Sequence, residues 1–123
     1  MPFSNKSVLI VDDDEKTNKM LKFMFQSVGV KAHSAFNGKE ALDVIKTSKP
    51  DVIILDLMMP VMDGFEFCEK FKGMEEHNDI PIIVLSAIPE KQHKDQLKDI
   101  GVNHCFEKPF SPDDILSRVM EVI

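Results

Sequence analysis

Residues 51–64 read DVIILDLMMPVMDG, and the rest of the chain can be interpreted around this stretch. The four apolar residues 52–55 are too few for a buried helix. A short continuous apolar run rich in β-branched residues is typical of a strand buried on both faces, as in a parallel sheet. Asp56 ends this strand, and a charged side chain in such a place is costly unless a partner compensates it. We therefore interpret Asp56 as the candidate reactive centre.

Composition limits the classes of protein to be considered. The chain has 123 residues, of which 43% are hydrophobic and 29% charged, and its net charge is −6. This mix is typical of a soluble globular protein, and the acidic balance argues against a nucleic-acid partner. Neither a signal pattern nor an apolar run of membrane-spanning length is present, and the two cysteines have no disulfide or metal spacing. We expect one domain over residues 1–123, without an output domain, in the cytoplasm and without a membrane partner.

Two patterns of apolar residues alternate along the chain, continuous short runs and residues at helical spacing. The predicted strands are Ser7–Val11, Val30–Ala35, Val52–Leu55, Ile82–Leu85 and Cys105–Phe106. Between and after them, helical spacing of apolar residues occurs within 20–28, 41–45, 67–71, 90–100 and 115–123. The Asn37-Gly38 and Asp63-Gly64 pairs are interpreted as turns. The segment 90–100 has only two apolar anchors, so its helix is predicted to be the most weakly held.

This alternation of five strands with five helices predicts a parallel sheet with helices on both faces. In such folds the ligand site lies at the carboxyl ends of the strands, where the strand order reverses. The unusual polar residues obey this rule, because each follows or ends a predicted strand. They are Asp12 and Asp13 after the first strand, Asp56 at the end of the third, Ser86 at the end of the fourth and Lys108 after the fifth.

These side chains together indicate phosphoryl transfer. Carboxylates that converge on one crevice repel each other, and oxygen-only ligands favour a hard cation such as Mg²⁺. A carboxylate beside Mg²⁺ can attack phosphorus and form an acyl phosphate. Lys108 would offer a positive charge to the phosphoryl oxygens, and Ser86 would offer a hydroxyl. No phosphate-binding loop of the glycine-rich kind is needed for this chemistry.

At four places the sequence resembles the receiver domains of two-component response regulators. The matching segments, in order, are Val11-Asp12-Asp13, the stretch from Asp56 through Pro60 to Asp63-Gly64, Leu85-Ser86-Ala87, and Lys108-Pro109-Phe110. The resemblance covers residues 3–123. It implies a flavodoxin-like, doubly wound five-stranded parallel sheet of strand order 2-1-3-4-5 with five helices.

The resemblance also implies roles for individual residues. Asp56 would accept a phosphoryl group from a sensor histidine kinase or a phosphotransfer protein, as part of a phosphorelay. Lys108 would contact the phosphoryl oxygens, and Ser86 would move toward them. The implied Mg²⁺ ligands are Asp13, Asp56 and the backbone carbonyl of Met58, with Asp12 assisting through water. We expect a switch protein and not a turnover enzyme, limited to Mg²⁺-dependent self-phosphorylation and autodephosphorylation.

The sequence departs from the family pattern at the aromatic switch position. Receivers usually have Tyr or Phe three residues before the lysine of the Lys-Pro pair, where this chain has Cys105. Phe106 follows, and strand alternation predicts that it faces the opposite way. Our hypothesis is that the signal leaves through the helix predicted at 90–100. The face formed by 90–123 would then bind a downstream protein, or a second copy of the chain as a homodimer.

Other functions remain as alternatives. An unphosphorylated pseudo-receiver that acts only as an interaction module would have the same fold. A phosphatase of the haloacid-dehalogenase type would place a second acid two residues after the nucleophile, where this chain has Met58. A nucleotide-binding α/β domain would have a glycine-rich loop after the first strand, where this chain has acids.

Overall fold

The computed structural model describes residues 5–57, 59, 62–74, 79–86, 104–107 and 110–123. Its strands are β1 (Ser7–Val11), β2 (Lys31–Ala35), β3 (Val52–Asp56), β4 (Ile82–Ser86) and β5 (His104–Glu107). Its helices in these ranges are α1 (Glu15–Ser27), α2 (Gly38–Ser48), α3 (Gly64–Lys72) and α4 (Pro112–Val122). The helix predicted at 90–100 lies outside the described residues.

All five strands are parallel and form one sheet of order β2-β1-β3-β4-β5. The predicted fold class and strand order are therefore confirmed. The chain reverses direction across the sheet between β1 and β3, since β2 lies outside β1 and the later strands lie outside β3. The carboxyl ends of β1 and β3 are consequently neighbours, with Val11 paired to Leu55 in the strand register.

Among the described residues, the core forms two clusters, one on each face of the sheet. Alternate strand residues point to opposite faces, so each central strand contributes to both clusters. One cluster includes Leu9, Ile53 and Val84 and packs under α2 and α3. The other includes Ile10, Ile54 and Ile83 and packs under α1 and α4. β3 and β4 are buried along their whole length, as continuous apolar runs predict.

Two dipeptides predicted as turns instead begin helices. The Asn37 side chain accepts a hydrogen bond from the backbone N–H of Glu40 at the start of α2. Asp63 does the same for the N–H of Glu66 at the start of α3. An Asn or Asp side chain can satisfy a free helical N–H as readily as it can close a turn, and here the following glycine is the first helical residue.

The face of α1 also differs in part from the prediction. Leu21 and Phe25 are fully buried as expected, but Met20, which the helical spacing placed on the same face, is 42% exposed. The third buried residue of this face is polar, Asn18, one turn before Leu21. None of the described helices is both long and apolar enough to span a bilayer.

Candidate functional site

Three carboxylates meet at the carboxyl ends of β1 and β3. One oxygen each from Asp12, Asp13 and Asp56 can be chosen so that all three lie within 4.8 Å of one another. Asp12 is fully buried and Asp56 is 4% exposed, whereas Asp13 is exposed. The sheet thus brings together the three acids predicted from the sequence, although more than 40 positions separate Asp56 from the other two.

Backbone hydrogen bonds fix the loop that follows β1. The N–H of Asp12 donates to the carbonyl of Ala35, the last residue of β2, with 3.1 Å between N and O. The carboxylate Oδ1 of Asp12 accepts from the N–H of Asp14 at 2.9 Å. Asp14 is the N-cap of α1, and its side chain accepts a hydrogen bond from the N–H of Thr17.

The loop that follows β3 is closed in a similar way. The N–H of Leu57 donates to the carbonyl of Leu85 at 3.2 Å, and the N–H of Gly64 donates to the carbonyl of Leu57 at 2.9 Å. The first bond continues the pairing of β3 with β4 past Asp56. The second brings the start of α3 back against the residue after Asp56. The position of Asp56 is therefore set by the sheet on one side and by α3 on the other.

Ser86 lies at the same end of the sheet. It is the last residue of β4 and is fully buried. In the register between β3 and β4, Asp56 pairs with Leu85, so Ser86 is one residue beyond the position opposite Asp56. Lys108 and Met58, which the sequence also predicts for the site, lie outside the described residues.

The charge of the cluster favours a cation. Two unit charges about 4 Å apart cost about 4 kcal/mol at an effective dielectric of 20, and two of the three carboxylates are buried. The candidate ligands are all carboxylate oxygens, which suit hard divalent ions such as Mg²⁺. The side chains described here therefore fit a Mg²⁺ site.

Cys105 and Phe106 face opposite sides of the sheet, as predicted. Cys105 packs against the cluster under α2 and α3, and Phe106 packs against the cluster under α1 and α4. Strand alternation places Ser86 on the same face as Val84, which pairs with Cys105. The switch position of β5, on the same face of the sheet as Ser86, thus holds a half-buried thiol and not an aromatic ring.

Sequence reasoning missed Asn18, which touches the loop of the acidic cluster. Its fully buried side-chain NH₂ lies 3.0 Å from the carbonyl oxygen of Asp12 and 3.1 Å from that of Ala35. A signal was present, because position 18 shares a helical face with the buried Leu21 and Phe25. A polar residue on the apolar face of a helix is expected to have a buried partner.

A doubly wound parallel sheet with an acidic cluster at the switch point of its strand order defines a class of regulatory and nucleotide-binding α/β domains. Comparison with known proteins narrows this class. A family model described as the response regulator receiver domain matches residues 8–120. The chain belongs to the receiver domain family of response regulators.

Relatives and solved structures agree with this assignment. PhoB, the phosphate regulon transcriptional regulatory protein of Pseudomonas aeruginosa, is 36% identical over 96% of this chain and 52% of its own length. PhoP, the alkaline phosphatase synthesis transcriptional regulatory protein of Bacillus subtilis, is 34% identical over 97% and 49%. The structure of Vibrio cholerae chemotaxis protein CheY4 has a TM-score of 0.89 and 32% identity, covering 96% of this chain and 98% of that one.

The chain spans about half the length of the curated relatives that it matches. In contrast, it covers nearly all of the Francisella response regulator 1452 receiver domain, with 38% identity and a TM-score of 0.85. The shared part is therefore the receiver domain. Receiver domains are phosphorylation-activated switches of two-component signal transduction, and they interact with histidine kinases or phosphotransfer proteins and with downstream targets.

Proposed function

We propose that Asp56 is the phosphoacceptor of this receiver domain and takes its phosphoryl group from a histidine kinase or a phosphotransfer protein. The observation that carries the proposal is the meeting of Asp12, Asp13 and Asp56 at the carboxyl ends of β1 and β3. In the reaction, a carboxylate oxygen of Asp56 forms a bond to phosphorus. The bond from phosphorus to the donor breaks, and its electron pair leaves with the donor.

The surroundings of the three acids favour Asp56 over the other two. An oxygen of the Asp12 carboxylate accepts the N–H of Asp14, which holds this carboxylate against the loop that leads into α1. Asp13 is exposed, where water competes for its oxygens. Asp56 is held between β4 and α3 and is 4% exposed, so its carboxylate is fixed in position at the centre of the sheet edge.

Mg²⁺ is the proposed cofactor, with the carboxylates of Asp12, Asp13 and Asp56 and the backbone carbonyl of Met58 as its candidate ligands. When bound, the ion supplies positive charge that offsets the carboxylates and the incoming phosphoryl oxygens. Asp13 and Asp56 would bind directly, and Asp12 would act through water. Without this charge the three carboxylates would repel a phosphodonor, so phosphorylation is expected to need the divalent ion.

Ser86 and Lys108 are proposed to bind the phosphoryl oxygens. Ser86 is well placed for this role because it ends β4, the strand next to β3, on the residue beyond the partner of Asp56. Its hydroxyl is buried, so a movement toward a new anion would change packing inside the domain. Lys108 follows β5 in the sequence and would offer a charge-assisted hydrogen bond.

The output of the switch is proposed to differ from that of receivers with an aromatic residue on β5. Cys105 occupies that position and has no ring to rotate, while Phe106 packs on the other face. We therefore assign the signal to a rearrangement of the segment 90–100. The face of 90–123 would bind a downstream protein or a second copy of the chain. Neither Cys68 nor Cys105 forms a disulfide bond, which agrees with a cytoplasmic setting.

Intact mass after incubation with acetyl phosphate tests the proposed function. We expect one phosphoryl adduct in the presence of Mg²⁺ and none after chelation, with acetate as the leaving group. Asp56→Asn should abolish the adduct, while Asp43→Asn, a control at an exposed position on α2, should retain it. A folded wild-type protein without an adduct would favour the pseudo-receiver alternative, and an adduct that persists in Asp56→Asn would assign the acceptor elsewhere.

A further inference from the structure

The side chain of Asn18 connects three segments around the acidic cluster. It projects from the first turns of α1 and is fully buried. Its Nδ2 atom lies 3.0 Å from the carbonyl oxygen of Asp12, 3.1 Å from that of Ala35 and 3.5 Å from that of Ile10. Because the amide has two hydrogens, the bonds to Asp12 and Ala35 are the two that it can make well.

The oxygen of the same amide indicates that the NH₂ group is the useful part of this side chain. Its Oδ1 atom is buried and has no hydrogen-bond partner among the described residues. A buried acceptor without a partner destabilises the fold. Reversing the amide would not help, because it would point Oδ1 at the carbonyl oxygens that now accept from Nδ2. The buried Oδ1 therefore lowers stability, and the benefit of asparagine at this position lies in the two hydrogen bonds that its Nδ2 donates.

One donor binds the loop that holds the acids, and the other binds the end of β2, to which this loop is also hydrogen-bonded. Asp12 is held through its N–H by the carbonyl of Ala35, through its carboxylate by the N–H of Asp14, and through its carbonyl by Asn18. The carbonyl of Ala35 accepts from both Asp12 and Asn18. Asn18 therefore closes a network that ties the end of β2, the loop after β1 and the start of α1 to one another.

We propose that Asn18 is a positioning residue for the acidic cluster, which holds the backbone of Asp12 so that the carboxylates of Asp12 and Asp13 meet Asp56 in the geometry that a divalent cation requires. This inference rests on the proposed function of the cluster. Groups that orient the ligands of a metal without touching it commonly contribute ten-fold or more to metal affinity. Asn18 fits that description, since it bonds to the backbone of the candidate ligand.

A purely structural role for Asn18 would have a different consequence. If the amide only stabilises the fold, its loss would lower stability and leave cation affinity as it is in any equally destabilised variant. If it positions Asp12, its loss would weaken cation binding by more than a matched change in the core does. Two measurements on the same variants, unfolding by urea and binding of Mg²⁺, therefore separate the two roles.

The variants are Asn18→Leu, which keeps the branched shape of the side chain and has no donor, and Asn18→Ser, which is smaller and retains one donor. Ile45→Val is the control, because it removes one methyl group from a fully buried residue of α2 on the opposite face of the sheet. Mg²⁺ binding is measured by titration calorimetry at constant ionic strength, since the chain has no Trp or Tyr to report by fluorescence.

We expect the Kd for Mg²⁺ to rise about ten-fold in Asn18→Leu and less in Asn18→Ser, but not in Ile45→Val. We also expect faster amide hydrogen exchange at the N–H of Asp14 in the Asn18 variants only. Equal Kd values in folded Asn18→Leu and Ile45→Val would overturn the inference while leaving the proposed function intact. Failure of the wild-type protein to bind Mg²⁺ would overturn the proposed function first, and this inference with it.

A measurement on the wild-type protein covers the case in which both Asn18 variants fail to fold. The side-chain amide resonances of Asn18 are followed by NMR while Mg²⁺ is added, with those of Asn37 as an internal control. Asn37 caps α2, and its Nδ2 bonds to Glu40. We expect the Asn18 resonances to shift with the same Kd as calorimetry gives and those of Asn37 to remain in place. Unchanged Asn18 resonances at saturating Mg²⁺ would overturn the inference.

Discussion

Gly64 shows how closely the helix that follows the candidate acceptor packs against it. A Cβ atom at this position would lie 2.7 Å from Cα of Leu57, 2.8 Å from its Cδ2 and 3.1 Å from the carbonyl oxygen of Asp56. The first and third of these atoms belong to the backbone and cannot rotate away. Position 64 thus requires glycine for lack of space and not for an unusual backbone conformation.

Gly64→Ala is predicted to lower the free energy of unfolding by about 1–3 kcal/mol, the usual cost of overpacking. Gly73→Ala is the matched control, because a Cβ there would meet its nearest neighbour, the carbonyl oxygen of Lys70, at 3.4 Å. Urea unfolding of both variants measures the difference. Equal effects at the two positions would show that α3 can move away from Asp56 without cost.

Cys68 provides a residue-scale prediction that depends on pH. Burial raises the pKa of its thiol from 9.0 to about 12, while Lys72 lowers the pKa and Asp63 raises it by smaller amounts. The folded protein therefore favours the neutral thiol. Unfolding lets the thiol ionise above its ordinary pKa, so the stabilising contribution is complete below pH 9 and is lost as pH rises from 9 to about 12.

The free energy of unfolding should accordingly fall between pH 9 and 11 in the wild-type protein, and the fall should be smaller in Cys68→Ala. Urea unfolding at several pH values, at constant ionic strength, measures both slopes. Comparison with Cys68→Ala removes the contribution of lysines and other groups that titrate in the same range. Identical slopes in the two proteins would mean that the Cys68 thiol ionises equally easily in the folded and unfolded states.

At the scale of elements, the starts of the four described helices are not equivalent. α1, α2 and α3 each begin with a side chain, that of Asp14, Asn37 or Asp63, that accepts a backbone N–H three residues later. α4 begins after Ser111, whose side chain makes no such bond, and relies on proline in its first turn. The three bonded caps lie in the loops that follow β1, β2 and β3, at the carboxyl end of the sheet.

Asp63→Ala should therefore cost about 1 kcal/mol of stability, because it removes the acceptor for the N–H of Glu66. Ser111→Ala should cost less than about 0.5 kcal/mol, since no side-chain bond is lost. Thermal and urea unfolding of the pair checks this order. A larger loss of stability in Ser111→Ala than in Asp63→Ala would contradict the assignment of Asp63 as a hydrogen-bonded cap and of Ser111 as a cap without a side-chain bond.

The sequence predicted the elements well and their junctions less well. Apolar runs such as Ile82–Leu85 have one physical explanation in a chain of this size, a strand buried on both faces, and the structure confirms it. Asn37-Gly38 and Asp63-Gly64 suit a turn and a helix start equally well in the sequence. The choice between the two depends on neighbours that only the fold supplies, such as Met62 against Gly38 and Leu57 against Gly64.

At the scale of the whole molecule, the strand order determines where charge accumulates. The parallel sheet places the ends of β1 and β3 side by side and so collects three negative charges at one edge. Each acid could be found in the sequence because it follows an apolar strand. The contribution of Asn18 could not be found in the same way, because its partners are backbone carbonyls of two other segments.

Charge repulsion in this cluster predicts a stability that depends on Mg²⁺. Without divalent ions, Asp13→Asn should raise the melting temperature, because it removes one of three like charges within a few ångströms. With Mg²⁺ at about 100 times its Kd, the wild-type protein should gain about 2.7 kcal/mol and the variant much less. Thermal unfolding of both proteins, each with chelator and with Mg²⁺, gives the four melting temperatures that the comparison needs. If Mg²⁺ stabilises Asp13→Asn as much as the wild-type protein, Asp13 is not a ligand of the ion.

The acceptor itself can be located by chemical trapping. After incubation with acetyl phosphate and Mg²⁺, the protein is treated with borohydride, which reduces an aspartyl phosphate to homoserine, and the modified residue is mapped by tandem mass spectrometry. The proposed function predicts homoserine in place of Asp56 and intact Asp12 and Asp13. Homoserine in place of Asp12 or Asp13, or an adduct that yields no homoserine, would contradict the assignment of Asp56 as the phosphoacceptor.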